Sequence, residues 1–131
     1  MGTNTVKMWA TLAGVVLVAV GLLGFVPNPL VGSADGALVP TDAVHNIVHL
    51  STGILALAIA FAMTGKTQVD AMLGFGILYV VILLAVLVSP TLFGLFSIPA
   101  NAVLHLIHAT LAIVSLGVWS MARNQTTNAR I

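Results

Sequence analysis

The sequence lacks cysteine and glutamate altogether. Without cysteine, a disulfide framework, a thiolate metal site and a cysteine nucleophile are all excluded. The only acidic residues are Asp35, Asp42 and Asp70, and lysine and arginine together number four. Because the net charge is only +1 and the basic residues form no patch or stripe, the sequence predicts no nucleic-acid partner.

Charged residues of both signs are scarce. They make up 5% of the 131 residues, whereas a soluble domain has about a quarter. Hydrophobic residues make up 60%, and the mean hydropathy is +1.16. Such a chain cannot cover a water-facing surface, so we expect the lipid bilayer to surround it. The length predicts a single domain over residues 1–131.

Four apolar runs are long enough to cross a membrane, which takes roughly 20 residues. They cover about residues 6–26, 43–63, 69–88 and 99–121. Proline and short polar segments separate them, and loops of about a dozen residues or fewer make neighbouring helices antiparallel. The predicted fold class is an all-α membrane protein, an antiparallel bundle of four transmembrane helices. Gly14 and Gly21 lie on one face of the first helix, where small residues allow close packing; glycine is also simply common in membrane helices.

The basic residues predict an orientation. All of them fall on one side of such a bundle: Lys7, Lys66, Arg123 and Arg130. The positive-inside rule then makes both termini cytoplasmic, in what we expect to be a bacterial plasma membrane. Trp9 and Trp119 lie near the same side and are expected to be interface anchors.

An internal repeat relates the two halves of the chain. A shift of 59 residues superposes Pro40 on Pro99 and His49 on His108. The same shift brings Asp42 onto Asn101, Asn46 onto His105, and residues 43–44 onto 102–103. We therefore interpret the bundle as two repeated helical hairpins, related by an axis along the membrane normal.

All histidines of the chain begin the second and fourth apolar runs: His45, His49, His105 and His108. Residues three and four apart share one face of a helix. Polar stripes on otherwise apolar membrane helices face one another or a wet cavity rather than lipid. We expect these residues to form one cluster at the extracytoplasmic helix ends, supported by a second group of polar residues: Asp42, Asn46 and Asn101.

Several functions suit this cluster. One is structural, in which hydrogen-bonded histidines hold together a non-enzymatic accessory or scaffold subunit of a larger membrane complex, or a homo-oligomer. A second is a transition-metal site, for copper or zinc, made by the four histidines. A third is a tetrapyrrole, haem or chlorophyll, held by His49 and His108. A fourth is proton or small-solute transport. No acid inside the membrane completes a catalytic triad, so we expect no enzyme activity.

The motif His45-Asn46-x-x-His49, followed by Gly53 and an apolar run, resembles that of a bacterial family of small four-helix membrane proteins of unknown function. The segment Asn101-x-x-x-His105 matches the start of the fourth helix in that family, and His108 lies outside its pattern. The resemblance implies a fold and a membrane location, and it brings no activity with it.

Overall fold

A computed structural model describes residues 2–128 and the side chains of residues 4–125. Within that range the chain forms four helices: α1 (Gly2–Leu23), α2 (Ala43–Ala62), α3 (Gly65–Val88) and α4 (Ala102–Asn128). Each is long and apolar enough to cross a membrane. The predicted all-α fold class, with four helices long and apolar enough to span a membrane, is therefore confirmed.

The helix starts differ from the predicted ones because polar side chains set them. α4 begins at Ala102 rather than at Pro99, since Asn101 is its N-cap and its Oδ1 accepts a hydrogen bond from the Leu104 N–H at 3.1 Å. α3 begins four residues earlier than predicted, at Gly65. Its polar first turn is helical and carries an ion pair between Lys66 and Asp70, one turn apart.

Asn28 ends α1 and shapes the loop that follows it. Its Nδ2 donates to the carbonyls of Leu23 at 2.8 Å, Val26 at 2.7 Å and Val31 at 2.9 Å. Its Oδ1 accepts from the N–H groups of Leu30 and Val31, both at 2.9 Å. Only the Leu23 carbonyl belongs to the helix, so this side chain caps the last residue of α1, which ends at Leu23 instead of about Val26.

The loop between α1 and α2 contains a short parallel pairing that the sequence did not predict. β1 (Val31–Gly32) pairs with β2 (Val39–Pro40), with Val31 opposite Val39. Both valines are buried in an apolar cluster with Phe96 from the α3–α4 loop. The pairing therefore closes the first loop on itself, and its two valines hold it against Phe96 of the second loop at one end of the bundle.

The helices pack as two hairpins. α1 contacts α2 along its length, α3 contacts α4, and α1 also lies against α4 and α3. Gly14 and Gly53 allow the first hairpin to close: a Cβ at Gly14 would lie 3.0 Å from the Gly53 carbonyl oxygen, and one at Gly53 would lie 3.0 Å from that of Gly14. A Cβ at Gly21 would lie 2.9 Å from the Asn46 carbonyl oxygen. The expected close packing along this glycine face is confirmed.

The two ends of the bundle differ in charge. At one end of the bundle, the loop of residues 24–42 is joined to the loop of residues 89–101. The Asp42 carboxylate accepts hydrogen bonds from the backbone N–H and the hydroxyl of Ser97. The opposite end carries the cations, with Lys7 5.3 Å from the centroid of the Phe61 ring and Arg123 4.8 Å from that of Trp119. Arg130, which the sequence analysis assigned to the same side, lies outside the described residues.

Candidate functional site

The first turn of α2 is set by Asp42, and this determines where the first two histidines point. Asp42 has extended backbone, and its Oδ1 accepts from the His45 N–H at 2.9 Å, as an N-cap does. One turn apart on the same helix face, His45 and His49 are both 1% exposed. Their ring centroids lie 4.4 Å apart. The cap thus starts a helix whose inward face presents two imidazoles.

His108 reaches the same place from α4. α2 and α4 have little backbone contact with each other, so their side chains occupy the space between them. The His108 ring lies 6.0 Å from that of His45 and 6.3 Å from that of His49, centroid to centroid. One ring nitrogen from each of the three residues lies within 4.8 Å of the others. The structure therefore brings together three of the four histidines named from the sequence.

Aromatic and hydroxyl side chains surround this trio. Phe96 stacks on His45 with 4.2 Å between ring centroids and 5° between ring planes. Tyr79 from α3 lies 6.0 Å from His108, centroid to centroid, and its hydroxyl is 2.6 Å from the Thr52 hydroxyl. Sequence reasoning missed Phe96 and Thr52. Thr52, one turn after His49, was recognisable by spacing, whereas nothing local marks Phe96.

The turn that presents Phe96 has unusual backbone. Leu92 and Phe93 have φ values of 48° and 57°, in the left-handed region that residues with a Cβ rarely adopt. Phe93 is 72% exposed. Backbone of this kind persists only where surrounding contacts hold it, and it concentrates near functional sites.

The histidine nitrogens are unusual among the buried polar atoms. In residues 4–125, every buried side-chain nitrogen or oxygen without a hydrogen-bond partner belongs to a histidine. They are both ring nitrogens of His49 and the Nδ1 atoms of His45, His105 and His108. A neutral imidazole offers one donor and one acceptor, and buried polar groups are almost always paired. These nitrogens are therefore free to bind a ligand that is not part of the chain.

His105 does not join the close group. It lies one turn before His108, is only half-buried, and is not among the mutually close nitrogens. The i, i+3 spacing turns its side chain away from that of His108 by about 60°, because a helix advances about 100° per residue. The fourth ligand named from the sequence therefore lies beside the trio.

The three polar residues expected to support the histidines bond to the loops. Asn46 Oδ1 accepts from the Thr41 hydroxyl at 2.5 Å. Asn101 Nδ2 donates to the Leu38 carbonyl at 3.1 Å. Asp42 caps α2 and accepts from Ser97. These side chains thus join the starts of α2 and α4 to the loops around the site.

Asp42 lies in the loop immediately before the apolar span of α2. Partial burial by itself would raise the pKa of the Asp42 carboxyl. Hydrogen bonds from the His45 backbone and from the Ser97 hydroxyl and backbone favour the charged form and outweigh burial, so the pKa is held below its ordinary value of 3.8. The carboxylate that joins the two loops is therefore charged at neutral pH.

The shape of the cluster favours a single ion over a macrocycle. The His45 ring lies 4.4 Å from that of His49 and 6.0 Å from that of His108, between their centroids. A flat tetrapyrrole between His49 and His108 would collide with this ring and with Phe96 stacked on it. A metal ion requires only that three nitrogens approach one point.

The family model described as "Domain of unknown function (DUF4383)" matches residues 7–119. The chain belongs to this family. The matched range includes all four histidines and most of the four apolar helices. No curated protein and no solved structure matches the chain.

Proposed function

We propose that this chain is a small integral membrane protein that binds one copper or zinc ion through His45, His49 and His108. The observation that carries the proposal is the convergence of three buried imidazoles, with one nitrogen of each within 4.8 Å of the others and with both nitrogens of His49 unpartnered. Imidazole nitrogen is a preferred ligand of both ions.

The geometry needs only a small adjustment to close around an ion. Metal–nitrogen bonds of about 2.0–2.1 Å place two ligands of a tetrahedral ion about 3.3 Å apart. Side-chain rotations that move the nitrogens by about 1 Å convert the present spacing into that one. Three protein ligands leave a fourth position open, as in metal sites that also bind a small molecule.

The chain also supports a proposal on orientation. Lys7, Lys66 and Arg123 lie at the end opposite the histidines. The positive-inside rule then puts the termini in the cytoplasm and the metal site on the outer side of a bacterial plasma membrane. Because the chain has no native cysteine, single cysteines introduced at Ser33 and at Thr67 would report the two sides separately. An impermeant maleimide should label only the first in intact cells.

The accessory or scaffold role is compatible with the metal site. Phe93 and Leu95 are 72% and 63% exposed in the loop beside the histidines, and they offer apolar surface to a partner or to the membrane interface. Copurification from the native membrane tests this role. We expect no enzymatic turnover, and transport stays a prediction that flux measurements in liposomes would test.

Metal analysis of the protein purified gently from its native membrane tests the proposal directly. We expect about one copper or zinc ion per chain, and a loss of affinity of at least 100-fold in His49→Ala and in His108→Ala. His105→Ala is the matched control, from the same helix and one turn away but outside the trio, and should change affinity less than tenfold. Metal-free protein that also fails to take up either ion on titration would contradict the proposal.

A further inference from the structure

A groove between α1 and α4 reaches the histidine cluster from the side. Its volume is about 390 Å³, and His49 lies in its wall among aliphatic side chains such as Leu12, Val16 and Ile107. The lining residues on α1 and α4 belong to membrane-spanning segments, so the groove faces the lipid. A molecule dissolved in the bilayer can therefore enter it without crossing water.

Three side chains in the wall of the groove carry polar atoms, and only one of them has such atoms without a hydrogen-bond partner. Trp9 Nε1 already donates to Ser115 Oγ at 2.9 Å, and the Thr110 hydroxyl donates to the Leu106 carbonyl at 2.8 Å. His49 alone, 1% exposed, has ring nitrogens without a partner. A histidine that binds a metal through one nitrogen ordinarily donates its other ring N–H to an oxygen. A molecule bound in the groove could supply that oxygen.

We propose that this groove binds an uncharged, lipid-soluble molecule with a carbonyl or hydroxyl oxygen on a compact head group, of the quinone and alkylphenol class, and that His49 hydrogen-bonds this oxygen. The inference rests on the proposed function, because it assumes that His49 uses its other nitrogen for the ion.

The size and charge of the groove select this class. A volume of about 390 Å³ lies near the lower end of small-molecule sites, so the groove holds a head group and the first part of a chain rather than a whole lipid. Its lining contains no lysine, arginine, aspartate or glutamate. A fatty-acid carboxylate or a phosphate would be buried there without a counter-charge, which is costly, whereas a neutral oxygen needs only one hydrogen-bond donor.

The test uses the full chain in detergent, with Trp119→Phe as background so that Trp9 is its single tryptophan. The probe is a benzoquinone with a ten-carbon chain, which quenches tryptophan fluorescence on binding. Val16 lines the groove and its neighbour Val15 does not, although they are similarly exposed, at 49% and 55%. We expect saturable quenching that is weakened at least tenfold by Val16→Phe and less than twofold by Val15→Phe. Leu12→Phe serves as a second groove variant if Val16→Phe does not fold.

The outcomes separate this inference from the proposed function. Quenching that does not saturate, or that the two valine variants change equally, would overturn the groove site even if metal analysis finds the ion. Displacement of the quinone by oleate at lower concentration than by dodecanol would overturn the choice of a neutral head group. Metal binding should be unchanged in Val16→Phe. Absent metal with retained, groove-dependent quinone binding would overturn the metal proposal and leave His49 as a hydrogen-bonding residue only.

Discussion

Gln68 and His49 are buried polar side chains at opposite ends of the same bundle, and they differ in how their polar atoms are used. Gln68 is 3% exposed, and its Nε2 donates to the carbonyls of Ile59 at 2.9 Å and Ala60 at 3.3 Å. Those carbonyls belong to the last turn of α2, which has no intrahelical donors for them. His49 is equally buried and has no partner at either nitrogen. The buried polar side chain at the cationic end is thus hydrogen-bonded to the backbone, whereas the one at the histidine end has two nitrogens without a partner.

Of the substitutions considered, replacing His49 with leucine should have the largest effect on how stability depends on metal. Without metal, the free energy of unfolding should stay the same or rise, because an apolar side chain replaces unpaired polar atoms. With metal at 100 times its dissociation constant, the wild type should gain about 2.7 kcal/mol and the variant no more than about 0.4 kcal/mol. Thermal unfolding in detergent, with and without copper or zinc, measures both quantities.

The contrary result for His49 is equally clear. A metal-free His49→Leu protein that loses more than about 2 kcal/mol of stability, with no metal effect in the wild type, would make His49 a structural residue like Gln68. His105→Leu is the matched control and should leave the metal-dependent gain intact.

Gln68→Met should show the opposite pattern at the cationic end. The substitution keeps the length of the side chain and removes the donors to the last turn of α2, so we expect a loss of about 1–2 kcal/mol with or without metal. Unfolding measurements under both conditions check this. A metal-dependent difference between Gln68→Met and the wild type would show that the two ends are not independent.

Asp42→Asn should have the smallest effect and should depend on pH. The folded pKa of Asp42 lies below its unfolded value of 3.8, so its charged form stabilises the fold above that pH and the contribution disappears as the pH falls through the folded pKa. Asparagine keeps the N-cap but turns an N–H toward Ser97, so we expect a loss of about 1 kcal/mol at pH 7.

The stability of Asp42→Asn relative to the wild type at acid pH provides the control for this prediction. Unfolding curves of the two proteins, measured from pH 7 to pH 3, should converge below pH 4 as the wild-type carboxylate is protonated. A stability difference that stays constant down to pH 3 would mean that the charge of Asp42 does not hold the loops together.

The fold was predictable because it depends on features that are local in sequence. Apolar runs of about 20 residues have few alternatives to membrane helices. A polar N-cap at Thr41 or Asp42 was predictable for the same reason, since a cap acts within its own turn, and the structure selects Asp42. Asn28 was not recognised, because the donors and acceptors it satisfies depend on the path of the loop.

The site was predictable only in part because it depends on how the helices rotate against each other. Spacing identified which histidines share a face, and three of them meet in the structure. It did not distinguish His105 from His108, which lie one turn apart and differ in the direction they face and in burial. Phe96 and Tyr79 come from the α3–α4 loop and from α3, so their contacts with the histidines arise from tertiary packing.

The division of the bundle into two hairpins has a consequence for how the protein is assembled. α1–α2 and α3–α4 each close through local contacts, so each hairpin can insert into the membrane as a unit. His45 and His49 belong to the first hairpin, and His108 belongs to the second. A nascent chain therefore carries an incomplete ligand set until its two halves have docked, and an ion captured by all three histidines would lock that docking in place.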